Sequence, residues 1–572
     1  AGGTDVGYAT ASDAAGNVYV TGVFAGTAFF GSTVLVSAGS DDIFIAKYNS
    51  AGVLQWVKRG GGIEQDLSRG IAVSGNAVYV TGNFYGTANF NTPSMPGSNE
   101  ITVAGYYDMF IAKFDDSGNF QWARRAGGSS SETGIEVAES GSSVYVTGSI
   151  DFTANFNTPS SWGSNVLQSA GMSDIFVAKY NDSGVFQWAR RAGGTASDQG
   201  FGIATSATSI YLTGHFSGTA DFNTPSAAGS NEITSAGYWD IFVAKYDDTG
   251  AFQWAKRAGG LSDEDRGLDI ATEGASVYIT GQISGTVNFN TPSASGSNEI
   301  SSASGSRDMF VAKYDDTGVF LWARRGGGYS TDIGYGIAVS GGYIFLTDSF
   351  YYTAKFNTPS APASKEIEAS GGREEIFIAK YDETGVFQWA RRAGGWGSDL
   401  GYGISVSGSL VYLSGVFEQT ANFNTPSAPG SNTLSAGDTP DILIAQYDVS
   451  GVYQWAKAAG LTSYGSDRGE STAIDAAGNI YMTGSFYGTA TFSSTALVSA
   501  GNEDIFIAKY NSAGTLQWVR RAGGMYNDGG RSIAVSGNSV YVAGYFDATA
   551  NFNTPSASGS NEIVSAGGRD IF

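Results

Sequence analysis

Cysteine is absent from the 572 residues of this chain, and histidine occurs once, as His215. The lack of cysteine excludes disulfide bridges, thiolate zinc sites and cysteine nucleophiles. A single histidine excludes metal sites built from several imidazoles, and no nucleophile motif lies near His215 to complete a serine–histidine–aspartate site. No apolar run approaches the roughly 20 residues that a membrane-spanning helix needs, so we expect no insertion into a bilayer.

Positive charge is also scarce, since 31 lysine and arginine residues face 53 aspartate and glutamate residues, for a formal net charge of −22. An acidic surface repels phosphate backbones, which argues against a nucleic-acid partner. Hydrophobic residues make up 42% of the chain, which argues against wholesale disorder, and the 82 glycines suit many short strands joined by tight turns. No phosphate-binding glycine loop leads into a helix, and carboxylates are too numerous for one pair to mark an active site. The sequence therefore predicts no enzyme.

A motif centred on tryptophan, usually Gln-Trp followed by one small residue and then basic residues, recurs about every 66 residues. A fixed period of this kind means that one supersecondary unit has been copied many times. A residue present in every copy serves to build the copy, so we expect binding where the copies differ or where their loops converge. The motif's tryptophans are Trp56, Trp122, Trp188, Trp254, Trp322, Trp389, Trp455 and Trp518.

One repeat, residues 66 to 128, indicates four strands, at 70–73, 78–81, 109–114 and 120–125. The third strand is apolar throughout, which predicts burial on both faces. Period-2 alternation in the fourth strand predicts that Phe120 and Trp122 share a face. Four antiparallel strands joined in order, without helical periodicity, predict an all-β fold, a β-propeller of four-stranded antiparallel blades.

The number of blades depends on a longer period. The chain holds nine pairs of first and second strands, which define units one to nine, but only eight complete pairs of third and fourth strands. Residues 13–110 align with 475–572 without a gap, at an offset of 462. This super-period predicts a seven-bladed propeller over 1–461 and the first units of a second propeller over 462–572. One ring of nine units and an open superhelix are the alternatives. Because the chain ends inside a repeated motif, we expect it to belong to a longer protein.

The loop lengths predict which face binds a partner. The connections from the second to the third strand, and from the fourth strand to the next unit, are long and emerge together. This long-loop face carries Asn-Thr-Pro-Ser loops, whose polar and aromatic neighbours suit sugar binding or O-linked glycans, although a proline-fixed turn also explains them. Their threonines are Thr92, Thr158, Thr224, Thr291, Thr358, Thr425 and Thr554.

A second candidate site is an acidic residue in the loop that enters each unit. A ring of such carboxylates suits calcium, with Asp66, Asp198, Asp265, Asp332 and Asp399 as candidate ligands. Alternatively, each carboxylate accepts backbone N–H groups and stabilises its own loop. No unit shows the alternating acidic ligands of an EF-hand. The full set is Asp5, Asp66, Glu132, Asp198, Asp265, Asp332, Asp399, Asp467 and Asp528.

Two further sets of charges recur, and a structural role is expected for both. An acid such as Asp108 precedes each third strand, and a lysine such as Lys113 lies five residues later in most units. Odd spacing puts the two on opposite faces of one strand, so each is expected to pair with a neighbouring strand or blade. The basic residues after each tryptophan, such as Arg124 and Arg125, are interpreted as solvated or locally paired charges on an edge strand.

The runs at 78–82 (Val-Tyr-Val-Thr-Gly), 174–180 (Asp-Ile-Phe-Val-Ala-Lys-Tyr) and 186–189 (Phe-Gln-Trp-Ala) resemble the bacterial β-propeller repeat family often labelled SBBP. Every unit carries some version of these runs. The resemblance implies a secreted or surface-exposed, adhesin-like protein and supplies no catalytic residue.

Together these observations predict a non-enzymatic extracellular or cell-surface protein, a structural or adhesive scaffold that presents its long-loop face to a surface glycan or a protein partner. Such a scaffold suits a place in a larger surface assembly. The alternative is a calcium-dependent, lectin-like propeller that binds glycans, with calcium as its cofactor.

Overall fold

The computed structural model describes residues 6–12, 18–30, 33–48, 54–74, 76–90, 100–156, 166–206, 208–224, 231–261, 264–291, 299–302, 306–328, 332, 336–358, 366–369, 374–395, 397–407, 410–423, 433–435, 441–459, 467–474, 479–493, 495–536, 539–551 and 562–571. Within these ranges every regular secondary-structure element is a β-strand, which confirms the predicted all-β fold. In this part of the chain no helix is long and apolar enough to cross a bilayer.

The strands follow the nine units in chain order. Units one to three contain β1 (Val6–Ser12), β2 (Val18–Phe30), β3 (Thr33–Tyr48), β4 (Leu54–Gly60), β5 (Asp66–Ser74), β6 (Ala77–Asn89), β7 (Glu100–Asp115), β8 (Phe120–Ala126), β9 (Glu132–Ser140), β10 (Ser143–Asn155), β11 (Val166–Asn181) and β12 (Phe186–Gly193). Units four and five contain β13 (Gln199–Ser206), β14 (Ser209–Phe216), β15 (Thr219–Thr224), β16 (Glu232–Thr234), β17 (Asp240–Asp247), β18 (Phe252–Gly259), β19 (Arg266–Glu273), β20 (Ser276–Ser284), β21 (Thr286–Thr291), β22 (Glu299–Ser301), β23 (Arg307–Asp315) and β24 (Phe320–Gly327).

Units six and seven contain β25 (Gly336–Ser340), β26 (Tyr343–Tyr351), β27 (Thr353–Thr358), β28 (Glu366–Glu368), β29 (Glu374–Asp382), β30 (Phe387–Gly395), β31 (Leu400–Ser407), β32 (Leu410–Phe417), β33 (Thr420–Asn422), β34 (Thr433–Ser435), β35 (Asp441–Asp448) and β36 (Tyr453–Ala459). Units eight and nine contain β37 (Arg468–Ile474), β38 (Ile480–Phe492), β39 (Thr495–Tyr510), β40 (Leu516–Ala522), β41 (Gly529–Ser536), β42 (Ser539–Asn551) and β43 (Glu562–Ile571).

Each unit is an antiparallel sheet whose third strand is buried on both sides. In β7, Met109 and Ile111 pack against unit three, whereas Phe110 and Ala112 pack against unit one. The predicted burial of this strand on both faces is therefore confirmed. A two-sided apolar sheet is stable only between neighbours, so the units form a stack of sheets, a propeller-like arrangement.

The prediction that Phe120 and Trp122 share a face is wrong. A β-bulge lies at this point, since Lys113 pairs with Trp122 while the next residue, Phe114, pairs with Phe120. The extra residue, Gln121, reverses the alternation. Trp122 consequently packs toward unit three, and Phe120 packs toward unit one.

The second and third strands are longer than the sequence predicts. Beyond a break in register at Gly86, residues 87–89 pair with residues 100–102 and form a short outer hairpin. In unit four the equivalent hairpin, β15 and β16, joins the sheet of unit three through β12. The charges of the fourth strand suggested an exposed edge. The structure shows instead that the hairpin of the next unit pairs with this strand.

The tryptophan of the repeat motif packs against the next unit. Trp122 is buried, and its Nε1 donates to the carbonyl oxygen of Asp182, in the turn between the third and fourth strands of unit three, at 3.0 Å. Gly184 in that turn has φ +72° and lies against the indole, where a Cβ would come within 2.3 Å of the ring. The turn Asn181-Asp182-Ser183-Gly184 thus accommodates the tryptophan of the preceding unit.

In units one to six the lysine of the third strand also contacts the next unit, as predicted. Lys113 forms an ion pair with Asp182, which accepts a hydrogen bond from the Tyr79 hydroxyl at 2.6 Å as well. Lys179 pairs with Asp248 in the same way, at 2.5 Å. The hydrogen bond from Lys113 and, after it, the hydrogen bond from Tyr79 lower the pKa of Asp182 below its usual value.

The first strands of successive units contact one another. These contacts run through β1, β5, β9, β13, β19, β25, β31, β37 and β41 in that order. Strand β1 also contacts β41 and β42, and β2 contacts β43. Units one and nine, at opposite ends of the chain, are therefore neighbours in the structure.

Candidate binding face and its carboxyl pairs

The two recurring sets of acids, which the sequence analysis treated separately, meet at the junctions. At the junction of units one and two, the side chains of Asp42 and Asp66 lie on either side of Gly61, which has φ +150°. A Cβ on Gly61 would lie 2.5 Å from Asp42 Oδ1 and 2.7 Å from Asp66 Oδ2. The lack of a side chain at Gly61 therefore leaves room for a pair of buried carboxyl groups, as it does at Gly193, Gly327, Gly394 and Gly523.

The loop acids accept backbone N–H groups. Asp66 accepts from Gly62 at 2.7 Å and from Tyr85 at 3.3 Å, and Asp198 accepts from Gly194 and Ser217, both at 2.8 Å. The calcium candidates Asp66, Asp198, Asp265, Asp332 and Asp399 are all buried and bonded in this manner. Their geometry matches the structural alternative, in which each carboxylate stabilises its own loop. Glu132 and Asp528 make the same bond, to Gly128 and Gly524, and Asp467 accepts from Tyr487; Asp5 lies outside the described residues.

Among the residues that the structure describes, no group of three or more histidine, aspartate or glutamate side chains is arranged to hold a metal ion.

The acid before each third strand is paired with an arginine of the same sheet. Arg125 contacts Asp108 at 2.7 Å, and Arg191 contacts Asp174 at 2.5 Å. The second basic residue after the tryptophan is therefore a partner of a buried acid and not a solvated charge. Unit seven departs from this pattern, because Ala458 replaces the basic residue there. Among the described residues, such pairs are Arg59–Asp42, Arg125–Asp108, Arg191–Asp174, Arg257–Asp240, Arg325–Asp308, Arg392–Glu375 and Arg521–Asp504.

One arginine cannot neutralise two carboxylates, and the pKa values of the loop acids at these junctions are raised accordingly. Burial, together with the charge of the neighbouring acid, raises the pKa of Asp66 to about 8 and that of Asp198 to about 7. At the junction of units two and three, burial raises the pKa of Glu132 to about 9, and the neighbouring charge of Asp108 acts in the same direction. Two buried acids at one site behave in this way because they cannot both ionise cheaply.

The threonines of the Asn-Thr-Pro-Ser loops are only partly described. Thr92, Thr158, Thr425 and Thr554 lie outside the described residues. The backbones of Thr224, Thr291 and Thr358 lie at strand ends and pair with Arg191, Arg257 and Arg325 of the preceding unit. These three positions therefore join neighbouring sheets, and sugar binding by the loops stays a prediction.

The long-loop face carries exposed aromatic side chains that the sequence analysis missed. Phe152 is 62% exposed with φ +58°, and Tyr352 is 56% exposed with φ +57°. The same repeat position is glycine with positive φ in other units, at Gly86, Gly218, Gly285 and Gly488. Aligning the residue before each Thr-Ala or Thr-Val pair would have revealed this exchange. Other exposed large apolar residues of this face are Ile63, Tyr106, Met172, Tyr238, Leu261, Met525 and Tyr526.

Comparison with known proteins places the chain near two curated proteins. It is 24% identical over 446 residues to the regulatory protein FlaEY of Caulobacter vibrioides, covering 73% of this chain and 43% of that protein. It is 27% identical over 263 residues to the uncharacterised WD repeat-containing protein L264 of Acanthamoeba polyphaga mimivirus, covering 40% of this chain and 19% of that protein. The chain thus spans less than half the length of either relative. No protein-family profile matches it.

Solved structures give weaker matches. The computationally designed protein Ika8 aligns with a TM-score of 0.32 and 10% identity, over 83% of this chain and 92% of that chain. A rhamnogalacturonan lyase of Bacillus licheniformis aligns with a TM-score of 0.22 and 11% identity, over 80% of this chain and 76% of that chain. Structural matches this weak add nothing to the fold assignment. The repeated antiparallel sheets and the similarity to a WD-repeat protein agree on a propeller-like repeat protein.

Proposed function

We propose that this chain is a non-enzymatic extracellular scaffold, in which nine blades form one ring and the long-loop face binds a surface glycan. The blades themselves are built from residues common to most units, such as Trp122, Lys113 and Asp108. These residues are occupied with contacts inside the fold, so a ligand must be recognised by what differs between units.

The observation that carries this proposal is the pair Phe152 and Tyr352. A non-glycine residue in the left-handed region costs about 1–2 kcal/mol, and a large exposed aromatic ring gains no burial in return. The glycines at Gly86 and Gly218 show that the fold does not need a side chain there. An exposed ring held on a stiff turn is suited to packing against the apolar C–H face of a sugar ring.

Closure of nine units in one ring has support in the contacts between β1 and β41 and between β2 and β43. A seven-blade ring would instead bring β1 against β31 of unit seven. Successive first strands contact each other throughout, which leaves the described chain with no gap between unit seven and unit eight. We therefore favour the nine-unit alternative over a seven-bladed propeller followed by a second one.

The calcium-dependent alternative has less support. Its candidate ligands, including Asp66 and Asp198, are buried and already accept backbone N–H groups. A calcium titration followed by melting temperature separates the two ideas, since the glycan scaffold proposed here predicts no shift up to millimolar calcium.

A glycan array tests the function directly. We expect wild-type protein to bind a subset of glycans, and the double variant F152G/Y352G to lose that binding. The same variant should be more stable by roughly 1 kcal/mol, because glycine relieves the left-handed backbone at some entropic cost.

The matched control is Q419G, since Gln419 has φ +56° at the same repeat position but carries no ring. It should gain about half as much stability, since one position is relieved and not two, and it should keep glycan binding. An array with no bound glycan, or a double variant that binds as tightly as wild type, would remove the proposal. In that event the match to a regulatory protein would favour a protein partner on this face.

A further inference from the structure

Just before the outer hairpin, the second and third strands carry a cross-strand pair whose chemistry differs from unit to unit. The adjacent pair is nearly constant, an apolar residue opposite an acid, such as Phe84 opposite Asp108. A position that varies while its neighbour is kept is not needed to build a blade and is free to recognise a ligand. The variable pair is Tyr85–Tyr107 in unit two, Asp151–Ser173 in unit three, Ser284–Arg307 in unit five, Tyr351–Glu374 in unit six and Tyr487–Glu503 in unit eight.

In unit two this pair is part of a cluster of three tyrosines. The ring centroid of Tyr85 lies 5.5 Å from that of Tyr107 and 6.1 Å from that of Tyr106. Tyr106 is 65% exposed, and the other two side chains are half-buried. Rings of this size usually bury most of their surface in a core, so three rings that stay open together offer aromatic surface to a ligand.

A chain of hydrogen bonds fixes this cluster against unit one. The Tyr107 hydroxyl donates to Gln65 Oε1 at 3.0 Å, and Gln65 Nε2 donates to Asp41 Oδ2 at 2.7 Å. The backbone contributes as well, since the Tyr85 N–H donates to the Gln65 carbonyl oxygen at 3.1 Å. Asp41 belongs to the third strand of unit one, so two units hold rings, amide and carboxylate in one arrangement. Such preorganisation reduces the entropic cost of binding.

We infer that Tyr85, Tyr106 and Tyr107, with Gln65 and Asp41, form a subsite for a neutral hexopyranose. The C–H face of the sugar packs on the phenol rings, and its hydroxyl groups donate to the Asp41 carboxylate. The inference deepens the proposed function and rests on it, because it names the class of sugar and a second contact on the long-loop face, in a unit other than those of Phe152 and Tyr352.

Two other ligand classes fit this subsite less well. An acidic sugar would meet the carboxylate of Asp41 in a chain of net charge −22. A proline-rich peptide also packs on tyrosine rings, but proline has no N–H group and leaves the carboxylate without a donor. A neutral sugar supplies both the apolar face and the hydroxyl donors.

Unit four provides a matched control. Tyr238 occupies the repeat position of Tyr106 and is 61% exposed, and its ring centroid lies 5.1 Å from that of Trp239. There the guanidinium of Arg266 lies 4.4 Å from the centre of the Trp239 ring, so a cation of the protein itself covers that ring. We therefore expect the sugar in unit two and not in unit four.

Saturation-transfer difference NMR tests the subsite. We would titrate methyl glucoside, methyl galactoside, methyl glucuronoside and a proline-rich peptide into the F152G/Y352G variant, in which the rings proposed above cannot contribute. Saturable transfer to the C–H protons of at least one neutral hexoside is expected, with the glucuronoside binding several-fold more weakly. One sugar ring on one subsite should bind with a Kd on the order of millimolar, which a glycan array does not retain.

Variants made in the same background identify the residues. Y106A should weaken hexoside binding roughly fivefold or more, whereas Y238A should leave it unchanged. D41N keeps an acceptor for Gln65 but loses the charge, so it should weaken hexoside binding and abolish the discrimination against the glucuronoside.

The subsite would be overturned by the absence of transfer to every hexoside, by equal effects of Y106A and Y238A, or by binding of the proline-rich peptide alone. The array and this titration fail separately. A silent array with hexoside binding that depends on Tyr106 removes the role of Phe152 and Tyr352 and leaves this subsite, and the converse result removes only this subsite.

Discussion

Replacing Gly184 by alanine is expected to destabilise the protein by about 3 kcal/mol or more, an effect out of proportion to one methyl group. Two costs combine at this position. The left-handed backbone of the turn, with φ +72°, disfavours any side chain, and the new Cβ would overlap the indole of Trp122. The indole would have to move, which would break its hydrogen bond to Asp182 and open the junction between units two and three.

Gly141, in the same unit, is the control that isolates the second cost. It has φ +63°, but nothing lies within 4 Å of a Cβ built there. G141A should therefore cost only the backbone term, about 1 kcal/mol. Chemical denaturation followed by far-ultraviolet circular dichroism measures both. Equal losses for the two variants would mean that the turn and the tryptophan do not form the junction described here.

The second large effect is a loss of stability as pH rises. The raised pKa values of the junction acids mean that the folded chain holds protons that the unfolded chain has already released. Between pH 4 and 8 the unfolded state therefore binds fewer protons, and the free energy of unfolding must fall as pH increases through this window. We expect a melting temperature at least about 5 °C lower at pH 8.5 than at pH 5.0.

Glu132 allows this effect to be tested at one junction. Its Oε2 accepts the Gly128 N–H at 3.0 Å, so a glutamine at this position can keep that bond and places an uncharged amide near the Asp108 carboxyl group. E132Q should be close to wild type at pH 5 and more stable than wild type, by about 1–3 kcal/mol, at pH 9. D182N is the control, because the pKa of Asp182 is lowered and its loss offers no gain at high pH. A wild-type stability that rises between pH 5 and 8.5, or an E132Q variant whose disadvantage grows with pH, would contradict the carboxyl pairs.

Much of the fold is predictable from local pattern. The four strands of residues 66–128, their order and the two-sided burial of the third strand all follow from turns and hydrophobicity within one repeat. The bulge at Gln121 is not predictable in this way, because alternation alone carries no sign of an inserted residue. The outer hairpin was missed for another reason. Its pairing partner is the fourth strand of the preceding unit, and a repeat taken alone does not include it.

The same limit applies to the sites. The loop acid Asp66 and the strand acid Asp42 are each visible in the sequence, yet only the fold shows that their side chains meet beside Gly61. The hydrogen bonds that Asp66 and the other loop acids accept from backbone N–H groups favour a role in stabilising their loops over a role in binding calcium. The unusual residue Phe152 could have been found from the sequence, since an alignment of the units places it at a position where several other units have glycine.

The nine-unit ring is tested most directly by identifying the strand that lies next to β1. Engineered disulfides suit this test, because the chain contains no cysteine. In units two and three, a Cβ on Gly70 would lie 3.4 Å from the Cα of Glu136, so G70C/E136C serves as a positive control. The equivalent pair is A9C/S532C for a nine-unit ring and A9C/G403C for a seven-unit ring. We predict that A9C/S532C forms an intramolecular disulfide as completely as the control, seen as faster migration on non-reducing gels. Crosslinking of A9C/G403C instead, or of neither pair, would contradict the nine-unit ring.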